Sequence, residues 1–434
     1  MSMVTLDSLR WRDPPARATV TIGVGPPRVH LQMIGPRDVA AMCRGRPVEE
    51  LPRILSILSP AHHLCAAQVL DRLFGVEPPP VARSTREAMR LALVLRHHLR
   101  KLHFLVSSVE RPFAEFWPEG ARRGPDGLRP LLDDLVRHVS AAQEAAAVLG
   151  ARADHPVTAV AGGVSRALRQ EQLVRLAELA LACRGCAERL AGSFRERVLS
   201  RGELLGDVGA TDPGPLASLA LASEGDALVL RDGRGGEVER FAAATLLEKI
   251  GFHEERWSHE PFAFLRSEGW KGLGAVGTAS LFFVGPLARL SGGDPLPTPL
   301  AEAERRRLAE TLGPFPRLEV VAACWALVVE LLSAAEGLVA LCEGETLTGP
   351  ALRTIPRGPG REGHAALESP QGLIWQHVRA DERGVVEEVR VLDTATANNG
   401  LLGIVAQRAV ETSLGRGQGW DEAKERMELA LLAY

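Results

Sequence analysis

Apolar residues recur at three- and four-residue spacing through most of the first half of this 434-residue chain, a period that commits it to packed helices. Leu64, Ala67, Val69, Leu70 and Leu73 make one stripe, ended by Gly75. Ser84 is placed to N-cap a helix whose inner face carries Ala88, Leu91, Leu95, Leu99 and Leu102. Leu131–Leu149 and Gln172–Leu199 predict two further long helices, separated by a loop over Ala153–Gly163. The region from Glu302 to Leu341 is helical again. Its apolar run, Val320 to Leu332, is interrupted by Glu330 and falls short of the roughly 18 residues of a membrane span, so a buried helix is expected. A last pair of helices is predicted from Gly400 to Arg416 and from Asp421 onward.

Alternation replaces the helical period in three places. Ala18–Gln32 predicts a strand pair around Gly25-Pro26-Pro27. Ala217–Val229 and Val238–Phe241 flank the glycine-rich turn Arg231–Gly236 as a hairpin. Gly358–Gly363 reads as loop, followed by strands Gly372–Arg379 and Val385–Leu392 around Ala380–Gly384. The expected class is mainly α with minor antiparallel β (α+β). We expect a single domain over 1–434: 1–206 mostly helical with an N-terminal hairpin, 207–300 containing β structure, and 301–434 helical with a small hairpin.

A formal net charge of −3 does not supply the concentrated basic face that nucleic-acid binding needs. Asp7, Arg10, Arg12 and Asp13 stand where a signal peptide would be apolar, which predicts a cytoplasmic protein without a membrane span. Its six cysteines then remain thiols. Cys183-Arg184-Gly185-Cys186 has the form of a redox or metal-handling pair. No second pair or histidine motif follows it, so it reads as two structural helix thiols. Cys324 and Cys342 read as core, and His97, His98 and His103 as surface or interface histidines. There is neither a Gly-x-Ser-x-Gly elbow nor a phosphate-cradling loop.

Four segments, in order, carry a more specific signal. They are Gly45-Arg46-Pro47-Val48-Glu49-Glu50 with Pro52–His62, then His155–Val164 with Gly162-Gly163, then Val284-Gly285-Pro286-Leu287-Ala288-Arg289-Leu290, and Glu368-Ser369-Pro370-Gln371-Gly372. Asp393–Asn398 follows. Together they resemble the landmarks of nickel–iron hydrogenase large subunits, and this implies a hydrogenase large-subunit-like fold. The resemblance also implies what is missing. The family's Arg-Ile-Cys-Gly-x-Cys-Pro-x-x-His sets its two metal-binding cysteines against Leu55 and Leu58, and its histidine against His62. Its active-site arginine falls on Gln371. Between Met33 and Arg44 the only acid in place of its proton-transfer glutamate is Asp38. The C-terminal Asp-Pro-Cys-x-x-Cys-x-x-His motif, expected after an Ala-Tyr such as Ala433-Tyr434, is not within the 434 residues.

Nickel and iron are held by a full set of soft thiolates, and leucine has no lone pair to offer. The expectation is therefore a non-enzyme with a degenerate pocket formed by Leu55, Leu58, His62, Gln371, Glu368 and Arg289. His62 and Cys65, at i and i+3, supply two donors for a transient metal site; the alternative is a hydrogen-bonded histidine at a helix start. The pattern is similar to HupK/HoxV-type hydrogenase maturation proteins. That implies no tightly bound cofactor, transient iron with diatomic ligands, and maturation chaperones or hydrogenase subunits as partners. Two alternatives stay open. One is a structural subunit like the complex I quinone-pocket subunit, which would need a His/Tyr pair although the chain's one tyrosine is Tyr434. The other is a hydrogenase with altered ligands.

Overall fold

The computed structural model describes residues 2–9, 16–23, 25–34, 38–107, 125–200, 214–222, 226–273, 277–313, 318, 320–358 and 360–434. An antiparallel sheet of β1 (Ser2–Leu9), β2 (Ala16–Ile22) and β3 (Arg28–Met33) opens the chain. Ala16, Ala18 and Val20 face Met33, Leu31 and Val29 across β2 and β3, and all six are buried. The expected strand pair is present, and β1 adds a third strand beyond the expected pair, with Val4 opposite Val20.

Next come α1 (Val39–Cys43), α2 (Leu51–Leu55), α3 (Pro60–Phe74), α4 (Pro80–Ser107), α5 (Pro125–Gly150), the short β4 (Ala159–Val160) and β5 (Gly163–Val164), and α6 (Gln170–Ser200). α3 stops where predicted. Gly75 takes φ 60°, its N–H reaches Arg72 O, and Val76 N reaches Asp71 O at 2.9 Å. The expected cap at Ser84 is wrong. α4 begins four residues earlier at Pro80, whose fixed φ suits a first helical turn and which has no N–H to satisfy.

The Ala217–Val229 segment is not one strand. It folds back as β6 (Ala217–Leu221) and β7 (Ala227–Arg231), with Leu221 opposite Leu228, and β7 continues into β8 (Glu237–Ala242) through the predicted glycine-rich turn. The apolar residues on either side of Ser223-Glu224-Gly225-Asp226 made the two strands read as one. Then follow α7 (Leu246–Lys249), the hairpin β9 (Ile250–His253) and β10 (Phe262–Leu265), β11 (Phe282–Phe283) parallel to β6, α8 (Pro286–Leu290) and α9 (Pro299–Leu312).

At the centre runs α10 (Val320–Glu343), against which α4, α6, α8 and α9 pack. By length and composition it could cross a membrane, but 67% of its apolar window is buried within the fold, as a core helix requires. β12 (Glu362–Glu368), β13 (Leu373–Ala380) and β14 (Val386–Leu392) form an antiparallel sheet, and α11 (Thr394–Gly415) and α12 (Trp420–Ala433) close the chain. The loop expected over Gly358–Gly363 gives way at Glu362 to the strand β12, whose alternating Gly363, Ala365 and Leu367 are buried. A Cβ at Gly363 would lie 2.6 Å from Val69 O, so this glycine lets the strand lie directly on the backbone of α3.

Candidate functional site

The four sequence landmarks, far apart in the chain, meet around one place. α2 ends at Leu55, and its last turn is tied off by Ser56, whose Oγ donates to Arg53 O at 2.7 Å. Leu58 N reaches Leu55 O at 3.1 Å and His62 N reaches Ser59 O at 3.0 Å, so the 56–59 loop is a tight bend into α3. From the second landmark, His155 Nδ1 lies 3.4 Å from Ser56 Oγ, and Ala159 N donates to His63 Nε2 at 3.1 Å. The fourth landmark is the β12–β13 turn. It is closed by Ser369, which donates from both N (2.9 Å) and Oγ (2.7 Å) to Gly372 O. A Cβ on Gly372 (φ +156°) would meet Val284 Cγ2 at 2.7 Å, and one on Gly285 (φ +119°) would meet Gln371 O at 2.8 Å. The third and fourth landmarks thus touch backbone to backbone. Asn398 locks the third in turn, accepting from Val284 N at 2.8 Å and donating to Val284 O at 3.1 Å.

Arg289 is the hub. Its guanidinium donates to both oxygens of Glu330 (Nη2–Oε2 2.6 Å), to Glu368 at 2.5 Å and to Ser369 O at 3.1 Å. The planar fork of arginine suits this two-carboxylate clamp, and a lysine could not reproduce it. Glu368 also accepts from Leu221 N at 2.8 Å, so the clamp ties α8, α10, the β12–β13 turn and β6 together. Burial pushes the Glu330 carboxyl upward, but the charge and hydrogen bonds of Arg289, with that of His98, outweigh it and hold its pKa at about 2. His98 Nε2 sits 2.9 Å from Glu330, and a carboxylate can only accept, so that nitrogen carries the proton. His98 Nδ1 then accepts from His97 Nδ1 at 3.2 Å. The surface reading of His98 is therefore wrong: it is fully buried, and burial lowers the pKa of both histidines. The clue in the sequence was Glu330, the one charged residue in the apolar run Val320–Leu332 and in need of a partner.

No protein-family model matches the chain. Among curated proteins it is 27% identical to the iron-sulfur subunit of the F420-non-reducing hydrogenase of Archaeoglobus profundus, over 88% of this chain and 81% of that protein. It is also 27% identical to the NAD-reducing hydrogenase HoxS subunit beta of Cupriavidus necator, over 93% and 86%. Among solved structures, an NAD+-reducing nickel–iron hydrogenase in the H2-reduced state superposes with a TM-score of 0.87 at 23% identity, covering 100% of this chain and 97% of the other. The nickel–iron–selenium hydrogenase of D. vulgaris Hildenborough gives 0.74 at 17% identity, covering 100% of both chains. The chain has the fold of a nickel–iron hydrogenase large subunit.

In hydrogenase terms, the donor set at the landmark site does not fit a nickel–iron centre. Leu55 is completely buried and packs into the main apolar core, while Leu58 is half-buried beside it. Neither offers an electron pair. His62 is turned elsewhere: its Nδ1 accepts from Gln376 Nε2 of β13 at 2.9 Å. Burial brings its pKa down to about 4, against a partly offsetting pull from Asp393. Cys65 points at β12, Sγ lying 3.6 Å from Ala365 O, and burial pushes its thiol far up. The two donors read from the sequence as a transient metal pair thus engage different strands. Asp38 is exposed and caps its own helix, accepting from Ala41 N at 3.0 Å, which leaves it no part in the buried network.

Between the Ser59–Ala61 bend and the Ser369–Gln371 turn lies a cavity of about 100 Å³. Leu93, Arg96, His97, Arg100 and Asp154 complete its wall. Gln371, at the position of the family's arginine, lines it, with an amide where the resemblance implies a cation. Arg96 pairs with Asp154 and also donates to Ala153 O at 3.0 Å.

Proposed function

We propose that the chain is a non-catalytic hydrogenase maturation protein of the cytoplasm, which transiently holds a carbonyl-bearing iron centre destined for a hydrogenase large subunit. Maturation chaperones and hydrogenase subunits are its partners. One observation carries the reading. Aliphatic carbon, buried at Leu55 and half-buried at Leu58, fills the positions where the related fold implies thiolates, while the Arg289 clamp, the two turns and the glycine contacts form an ordered shell around them. A shell retained without ligands serves shape and partner recognition, not turnover. The cavity beside it supports a guest with anionic ligands, because Arg96, Arg100 and the Gln371 amide line it together with the carboxylate of Asp154. The relatives support the partner class, since their names are those of hydrogenase subunits.

The test is affinity purification from a cell that assembles such a hydrogenase, with infrared spectra recorded on the product. The proposal expects a small maturation chaperone to co-purify, and carbonyl and cyanide stretches that vanish when the iron-modifying machinery is deleted. A preparation with neither chaperone nor diatomic bands overturns it. Stoichiometric nickel with H2 oxidation overturns it in favour of a hydrogenase with altered ligands.

A further inference from the structure

The Cys183-x-x-Cys186 pair, read from the sequence as structural, does not stand alone once the helices pack. α5 and α6 lie side by side, and the contact places Cys186 against two residues one turn apart on α5, Asp134 and His138. One ligand atom from each of the three, Sγ, a ring nitrogen and a carboxylate oxygen, lies within 4.8 Å of the other two. Cys186 and His138 are buried, at 1% and 7% exposure, and Asp134 reaches partly into solvent. His138 Nδ1 lies 2.8 Å from Asp134 O and 3.5 Å from its Oδ1, so the ring is held in place before any ion arrives. The neighbouring thiol, Cys183, sits one turn before Cys186 on the same helix and is equally buried.

We propose that Asp134, His138 and Cys186 form a binding site for a zinc-class divalent cation, with water as the fourth ligand. A thiolate, an imidazole and a carboxylate converging from two rigid helices are the donor types such ions take in tetrahedral geometry, and the mixed set disfavours calcium or magnesium, which want oxygen throughout. The site is separate from the landmark cavity: none of its residues lines that cavity, and it does not rest on the maturation reading.

Two groups oppose loading and give the site its character. Arg189 Nη2 lies 3.0 Å from Asp134 Oδ2, and Arg137 Nη1 lies 3.4 Å from Oδ1, so an incoming cation must displace guanidinium from the carboxylate. Both arginine side chains are largely exposed and can swing away. Burial, with the Asp134 charge, holds the Cys186 thiol up at about 12. Binding releases the Sγ proton to solvent as the sulfur lone pair goes to the metal.

Cobalt(II) titration of the purified full chain tests this, since a cobalt–thiolate bond gives a near-ultraviolet charge-transfer band. The expected result is one such band, saturating at one equivalent and discharged by zinc. It should be lost in Cys186→Ser and kept in Cys342→Ser. His138→Gln should weaken binding by about 100-fold, and Arg189→Gln should tighten it several-fold by removing the competing cation. Far-ultraviolet circular dichroism on each variant separates loss of a ligand from loss of fold. No charge-transfer band in the wild type, a band that survives Cys186→Ser, or a folded His138→Gln with unchanged affinity would each overturn the site.

Discussion

Leu55 and Leu58, which the resemblance sets against two metal-binding cysteines, lie in different surroundings. Leu55 is sealed in the core, so Leu55→Ala should remove its transfer free energy and leave a cavity, lowering stability by about 2–5 kcal/mol. Leu58 is half-buried and its truncation should cost clearly less. Urea denaturation of the two variants checks the order; equal small losses would mean that Leu55 lines open space. Glu330 is the other residue with a large expected effect. Glu330→Gln takes one of the two carboxylates from Arg289, which keeps Glu368, and weakens charge-assisted hydrogen bonds in a buried site, so it should cost about 1.5–3 kcal/mol.

Buried His62, His63 and Glu330 set an acid profile. His62 and His63 have pKa values near 4 in the fold, against about 6.5 unfolded, so the unfolded chain takes up protons first. For His63, too, burial is the main cause, with Arg86 nearby adding to it. The stability tied to their neutral forms is present above about pH 6.5 and drains away as the pH falls toward 4. Glu330 runs lower. Its depressed pKa gives stability that is complete above about pH 4.3 and is lost as the pH falls toward 2. Denaturation midpoints should therefore fall in two stages. His62→Gln should flatten the upper stage, and an unchanged slope between pH 6.5 and 4 would refute its assignment as a buried neutral histidine.

At the scale of elements, the turns depend on backbone reaching backbone. β4 and β5 enclose Gly162 and Gly163, at φ +76° and +156°. A Cβ on either would lie about 2 Å from a carbonyl oxygen of the 352–354 segment, at 2.0 and 2.1 Å. Gly163→Ala should therefore push that segment away. It would also break the Val164 N to Leu352 O bond of 2.9 Å and weaken the grip of Arg86, whose guanidinium donates to Gly163 O and Val160 O and pairs with Asp71. A loss of several kcal/mol is expected, at the upper end of what backbone strain and a broken buried network cause. A thermal melt reads it, and a wild-type midpoint would show that the segment yields freely. Gly415, whose would-be Cβ meets no described atom and which lies at the end of α11 without a positive φ, is the matched control, and Gly415→Ala should be neutral or mildly stabilising.

For the whole molecule, the large core joins residues from Ala16 to Leu432, so the first sheet, the helices and the last helix share one apolar interior. A smaller core lies between the β6–β8 sheet and β13, around Trp375, whose indole donates to Ala243 O at 2.7 Å. On the proposed reading the chain, whose stability rests on this packed interior, should purify folded without nickel and show no measurable H2 oxidation. A large drop in melting temperature with chelator would assign a structural metal and turn attention to Asp134, His138 and Cys186.

The helical period, the core helix over Val320–Leu332, the antiparallel hairpins and the ordered landmarks were all legible in the sequence, because each depends on residues close together in the chain. Tertiary structure alone decided the pairings between distant residues: His98 with Glu330, Arg289 with Glu330 and Glu368, His62 with Gln376, and Cys186 with Asp134 and His138. No local spacing encodes such meetings. They arise when helices and strands tens to hundreds of residues apart are pressed onto one core, and burial then obliges each polar group to find a partner there.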